Sequence, residues 1–103
     1  MKLSIGYITT PTKAEAKEIV LALLEKGLIA CANILDGAES YFVWENEIEK
    51  AKESVIFFKT RMKNEKKIIR LVKSMHSYEC PCIVFSNIEN GNDEFMGWID
   101  ASC

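Results

Sequence analysis

The chain has little of what marks specialised chemistry. In 103 residues it contains one histidine, four cysteines, two prolines and five glycines. Catalysis by a thiol needs a base and an orienting partner beside it, and with a single imidazole nothing marks a triad or an oxyanion hole. An enzyme is therefore not expected. The cysteines stand at 31, 80, 82 and 103 and match no zinc-finger spacing. No apolar run is long enough to span a bilayer, and the opening Met1–Gly6 stretch lacks a signal-peptide core. The expectation is a cytoplasmic protein, with no membrane partner and with reduced thiols rather than a disulfide framework. Neither sign of charge dominates: 13 Lys and Arg face 15 Asp and Glu, for a net charge of −2. The basic residues are dispersed, so no nucleic-acid footprint is present. The lysines between 63 and 73 alternate with apolar residues at helical spacing and read as a solvated helix face.

What is present is an ordinary globular core for one domain over 1–103, with 49% apolar residues. Residues 3–9 alternate Leu3, Ile5, Tyr7 and Thr9 against Ser4, Gly6 and Ile8, which predicts a strand. Thr12 and Glu15 form a capping-box pattern at the start of a helix over 12–26, whose apolar stripe is Ala16, Ile19, Val20, Leu23 and Leu24. Gly27 stands where a left-handed C-cap is wanted. Residues 28–35 and 39–44 are strand-like. Asp36-Gly37 between them reads either as a hairpin turn or as a bend within one long strand, because the polar stretch 45–53 offers a second hairpin. Residues 54–60 are almost continuously apolar, as in a strand buried on both sides. A second helix is predicted over 64–75, with Ile68, Leu71, Val72 and Met75 inward. Residues 81–87 make a further strand, and Asn92 caps a short last helix in which Phe95, Trp98 and Ile99 share a face. The order strand-helix-strand, strand-helix-strand is that of an α+β, ferredoxin-like βαββαβ sandwich, an antiparallel sheet with both main helices on one face.

The run His76-Ser-Tyr-Glu-Cys-Pro-Cys-Ile83 gathers the only imidazole, two thiols and a carboxylate near a helix end. Imidazole and thiolate suit copper and zinc. If Pro81 opens a strand, Cys80 and Cys82 point to the same side. His76, Glu79, Cys80 and Cys82 are accordingly the candidate metal ligands, weighed against small buried thiols and a helix-end histidine. Cys31, inside an apolar run, reads as packing. Tyr41, Trp44, Phe95 and Trp98 are large side chains at the margins of a small core. They are more than one subunit can bury and are expected in a subunit interface. Trp44, Lys59 and Tyr78 are the candidate walls of an intersubunit ligand cleft, with Lys59 its positive anchor.

Several strings then fall in order: Thr9-Thr10-Pro11, Leu28-Ile-Ala-Cys-Ala-Asn-Ile34, Ser40-Tyr-Phe-Val-Trp-Glu45, Lys59-Thr60, His76-Ser-Tyr-Glu-Cys-Pro81 and Trp98-Ile99. Together they resemble the CutA divalent-cation tolerance family across nearly the whole chain. The resemblance implies a subunit similar to the PII signalling proteins, assembled as a cytoplasmic homotrimer, with Asp36-Gly37 a bend and the hairpin near 46–52. It implies a part in tolerance of copper and other divalent metals, with metal as a bound ion rather than a required cofactor. The alternative is a PII-like sensor or scaffold that binds a small molecule or partner between subunits. The chain departs from the family pattern at Ser77, Cys80 and Cys82, which stand for Pro, Val and Glu. A hard carboxylate is thereby exchanged for a soft thiol. Other proteins of this topology fit less well. The Thr9-Thr10-Pro11 loop lacks the Cys-x-x-Cys of copper chaperones and the arginine of acylphosphatases, and residues 54–60 are no RNA-binding strand.

Overall fold

Burial by alternation organises the molecule, which is described over residues 1–103 by a computed structural model. The elements are β1 (Leu3–Thr10), α1 (Lys13–Glu25), β2 (Cys31–Trp44), β3 (Glu47–Arg61), α2 (Glu65–Met75), β4 (Ile83–Ile88) and α3 (Asp93–Ser102). A 3-10 turn over Met62–Asn64 leads into α2. The four strands form one sheet in the order β2-β3-β1-β4. Every neighbouring pair is antiparallel. This is the expected split βαββαβ arrangement.

Side chains of alternate residues leave opposite faces of a strand. On β3 the even positions Ile56, Phe58 and Thr60 are buried with Ile8 of β1 under α1 and α2. Ile19 and Leu23 of α1 and Ile68 and Val72 of α2 complete that layer, all fully buried. Each such aliphatic side chain contributes about 1.5–3 kcal/mol on leaving water. Leu24, expected in the α1 stripe, is 39% exposed at its edge. Gly6 is required by close approach, because a Cβ there would lie 1.9 Å from the Phe58 ring.

The helix ends follow the chemistry of unpaired amides. Thr12 Oγ1 accepts the Glu15 N–H at 3.1 Å, half of a capping box. The other half does not form, because the Glu15 carboxylate accepts the Ser77 N–H at 3.0 Å instead. At the far end Gly27 has φ +67, and Leu28 N–H and Gly27 N–H bond the carbonyls of Leu23 and Leu24, a Schellman closure.

β2 and β3 outgrow the sheet as a two-stranded ribbon and give the subunit extents of 44 × 26 × 22 Å. Asp36-Gly37 lies in a bulge within one continuous strand: Leu35 pairs with Val55 and Ala38 with Glu53, so β2 carries one extra residue there. Ser54 Oγ donates to Asp36 Oδ1 at 2.6 Å and fastens the bulge; that bond holds the Asp36 carboxyl below its ordinary pKa. The hairpin turn is the two-residue Glu45-Asn46, both at positive φ, so β3 starts at Glu47 rather than at Ser54. Charged residues at 47–52 are compatible with pairing because a free ribbon exposes both faces to water. β4 starts at Ile83, two residues later than expected, and Pro81 and Cys82 belong to the preceding segment. α3 lies toward the face opposite α1 and α2. Its Asp100 pairs with Arg61 at 3.3 Å, and Arg61 also donates to the Cys103 carbonyl.

Candidate functional site

The segment 76–82 crosses from α2 to β4 over the root of the ribbon, and its histidine fastens it there. His76 is the C-cap of α2, its N–H bonded to the Val72 carbonyl at 2.8 Å. The ring is fully buried. Nδ1 accepts the Tyr78 N–H at 3.0 Å, which leaves the proton on Nε2, and Nε2 donates to the Thr9 carbonyl at 2.7 Å. Glu15 Oε2 lies 3.4 Å from Nδ1. The shorter contact at Nδ1 is the one from the Tyr78 amide. Both nitrogens are thus spent on the backbone, which corrects the reading of His76 as a metal ligand. Its role is to hold β1 against the Ser77–Cys82 segment.

Between that segment and the ribbon runs an open groove of about 1010 Å³ on the sheet face opposite α1 and α2. Tyr7 and Thr9 of β1, Ala51 and Glu53 of β3, and residues 38–44 of β2 line it from below. Ser77, Tyr78, Glu79, Cys80 and Cys82 line the other wall. The bulge decides which ribbon side chains share the groove face. Beyond it Ala38 pairs with Glu53, Ser40 with Ala51, Phe42 with Glu49 and Trp44 with Glu47. Ala38, Ser40, Phe42 and Trp44 therefore share a face with Glu53, Glu49 and Glu47, while Tyr41 and Val43 share the opposite face with Lys50 and Ile48. Lys50 Nζ accordingly sits 5.9 Å over the Tyr41 ring.

Glu53 is the central polar group of the groove. It is only 9% exposed, and its Oε2 accepts the Tyr78 hydroxyl at 2.8 Å. Desolvation, then the hydrogen bond to Glu53, pushes the Tyr78 phenol up to about 12. Burial, then the Glu53 charge, also pushes the Cys82 thiol up, so Cys82 is protonated at neutral pH.

Of the expected cleft residues, Trp44 and Tyr78 line the groove. Lys59 does not. It stands four pairs beyond Val55 toward the other end of β3, where its Nζ donates to Asn33 Oδ1 at 3.3 Å. Its place as a positive anchor is corrected on that ground. Of the expected metal ligands, Glu79, Cys80 and Cys82 share one wall of the groove, but within one subunit no three His, Cys, Asp or Glu side chains group to hold an ion. Of the expected interface residues, Tyr41 is 62%, Trp44 55%, Phe95 40% and Trp98 47% exposed on the subunit, with Phe95 and Trp98 stacked at 5.4 Å. The Asn92 side chain makes no capping bond to α3. Sequence reasoning missed Glu53, Tyr7 and Phe42. The signal available was the even spacing of Glu47, Glu49 and Glu53, two and four residues apart, in what proved to be strand.

Comparison with known proteins places this geometry. The family model described as CutA1 divalent ion tolerance protein matches residues 4–102. A divalent-cation tolerance protein CutA of Archaeoglobus fulgidus is 47% identical over 94 residues, covering 91% of either chain. A solved structure described as the periplasmic divalent cation tolerance protein CutA from Archaeoglobus fulgidus superposes with a TM-score of 0.93 at 44% identity, covering 97% of each chain. The CutA1 structure from Ehrlichia chaffeensis superposes with a TM-score of 0.91 at 38% identity, covering 99% of this chain and 96% of that one. The description "periplasmic" belongs to the archaeal relative; in the present chain no helix is long and apolar enough to cross a membrane. On sequence, fold and length alike, this chain belongs to the CutA1 divalent ion tolerance family.

Proposed function

We propose that the protein serves divalent-cation tolerance as a cytoplasmic homotrimer that takes a copper or similar ion at the ribbon groove, without catalysis. The observation that carries this reading is the wall bearing Glu79, Cys80 and Cys82, with the Glu53 carboxylate opening on the same groove. Thiols prefer soft and borderline ions, and a divalent or cuprous ion must displace the Cys82 proton, so binding should strengthen as pH rises. One subunit does not complete a ligand set, so a closed centre needs donors from a second copy.

Assembly is supported by the exposed side chains of the ribbon. Tyr41, Val43, Trp44 and Ile48 are 55–81% exposed on strands that bury little of themselves in the monomer. Large apolar patches and unpaired strand edges are aggregation hazards unless subunits cover them. The number three comes from the family resemblance. The second reading, a PII-like sensor of a small molecule, is favoured by the size of the groove and by its aromatic lining of Tyr7, Phe42, Trp44 and Tyr78.

The test is metal binding by the reduced protein in competition with a chelator. Cu(I) or Zn(II) should bind at about micromolar affinity or tighter. Cys82→Ser should weaken binding more than Cys31→Ser, since Cys31 lies outside the groove. Equal loss at the two positions, or no binding, would sink the ligand assignment.

A further inference from the structure

Charge is mixed in sign over most of the chain but not on α2. On α1 the exposed Lys17 adjoins Glu18, and Glu25 adjoins Lys26 at the C-cap. On the outer ribbon Glu47 and Glu49 stand beside Lys50 and Lys52. The outward side of α2 instead carries Lys66, Lys67, Arg70 and Lys73, all exposed, and Lys63 extends the row by one turn. At 3.6 residues per turn the four helical cations fall within an arc of about 120° and span about 11 Å. Ile68 and Val72, on the opposite side of the helix, are fully buried. The only acid between Arg61 and Tyr78 is Glu65, which leaves the stripe to accept the Ser4 hydroxyl. The subunit's two acid–base contacts, Arg61–Asp100 and His76–Glu15, use none of the five cations.

This arrangement works against the helix that carries it. Like charges three or four residues apart repel, as at Lys66–Arg70, Lys67–Arg70 and Arg70–Lys73. Lys66 and Lys67 also stand in the first turn, where the macrodipole favours acids. A face kept only for solubility would mix the two signs, as α1 and the ribbon do. We infer that the α2 stripe is a docking surface for a short acidic segment of a partner protein, whose carboxylates pair with these lysines and Arg70. Its extent and surroundings select that class of partner. Taking the five positive charges from the chain's net −2 leaves −7 on the rest of the molecule. Glu18 and Glu25 are exposed on α1, which packs beside α2. A nucleic acid or an anionic bilayer would meet those acids as well, whereas a run of about five extended residues covers the stripe alone. α2 lies on the sheet face away from the ribbon groove, so this inference uses none of the groove's donors and does not depend on the metal reading.

Fluorescence anisotropy of a labelled decaglutamate peptide, titrated with the reduced, full-length protein, tests it. Saturable binding is expected at about 50 mM salt, weakening by about threefold or more at about 200 mM as exposed pairs are screened. Lys67→Glu with Arg70→Glu should weaken binding by about tenfold or more, since two attractive pairs become repulsive. Lys17→Glu with Lys26→Glu makes the same change in net charge on α1 and should weaken it by less than about threefold. Lys67→Glu alone separates binding from folding. It should weaken binding by about threefold while raising the denaturant midpoint, because it relieves repulsion in the first turn. Three results would overturn the assignment: no saturable binding of the peptide, an equal loss in the α1 and α2 double variants, or a lowered midpoint in Lys67→Glu. Tighter binding of a decathymidylate, or of vesicles containing phosphatidylserine, than of the peptide would overturn it too.

Discussion

β3 is two different strands joined end to end. Its inner half, Ser54 to Thr60, sits mid-sheet between β1 and β2, where Ser54, Val55, Ile56, Phe58 and Thr60 are all buried. Its outer half, Glu47 to Lys52, pairs only with β2, and every residue but Ala51 is exposed. The pairing pattern is the same in both halves; the source of stability is not. The inner half is held by apolar burial on a sheet covered by α1 and α2. The outer half has one pairing partner and no covering layer, and two-stranded ribbons in water are marginal at best. The ribbon therefore draws its order from its continuity with the body and from whatever covers it. The first half explains the fold, and the second half borders the groove to which the proposed function is assigned.

The largest effect that sharpens this comparison is a cavity in the body. Phe58 touches Gly6 and stands 5.7 Å from Phe85, edge to face. Phe58→Ala should cost about 3–5 kcal/mol, read as a lower denaturant midpoint at every protein concentration. A ribbon variant should behave differently. Trp44→Ala should lower apparent stability by about 2–4 kcal/mol in the assembled protein, and the loss should grow on dilution because it acts through association. A concentration-independent loss at Trp44 would place it in the subunit core instead. Next in size is the latch between the two regions. His76→Ala leaves the Thr9 carbonyl and the Tyr78 amide without partners and should cost about 1–3 kcal/mol, with faster amide exchange at Tyr78 as its local signature.

The smallest effect is a titration. Tyr78 in the folded protein is raised to about 12 from an ordinary 10. Between those values the unfolded chain has lost the phenol proton and the folded one retains it, so stability falls as pH rises through that window and the full contribution is present below it. Tyrosinate absorbance should show one of three phenols ionising late. Tyr78→Phe should abolish that late step. Three phenols titrating together would contradict the Tyr78–Glu53 bond.

The body was legible from the sequence because burial there obeys a simple period. Ile19, Leu23, Ile68 and Val72 recur at helical spacing, and Thr12 and Gly27 punctuate α1. The ribbon was less legible, since Glu47–Lys52 has no apolar alternation to advertise a strand; its pairing follows from the Glu45-Asn46 turn. The groove was half legible. Tyr78, Cys80 and Cys82 lie in one conspicuous run, and Trp44 follows from the family resemblance. Glu53 needed the register, because only the extra residue at Asp36-Gly37 brings it to the face of Phe42 and Trp44. His76 was misjudged for a physical reason: an imidazole near two thiols suggests a ligand, while the backbone groups that occupy it, at Thr9 and Tyr78, leave no mark in composition. Lys59 was misplaced because distance along β3 is invisible without pairing partners.

Sedimentation equilibrium of the reduced protein at micromolar concentration tests most directly whether the ribbon is completed by other subunits. A single species at three times the 11.7 kDa chain mass, dissociating only as it unfolds, is the predicted result. A stable, folded monomer with an intact ribbon would contradict the account.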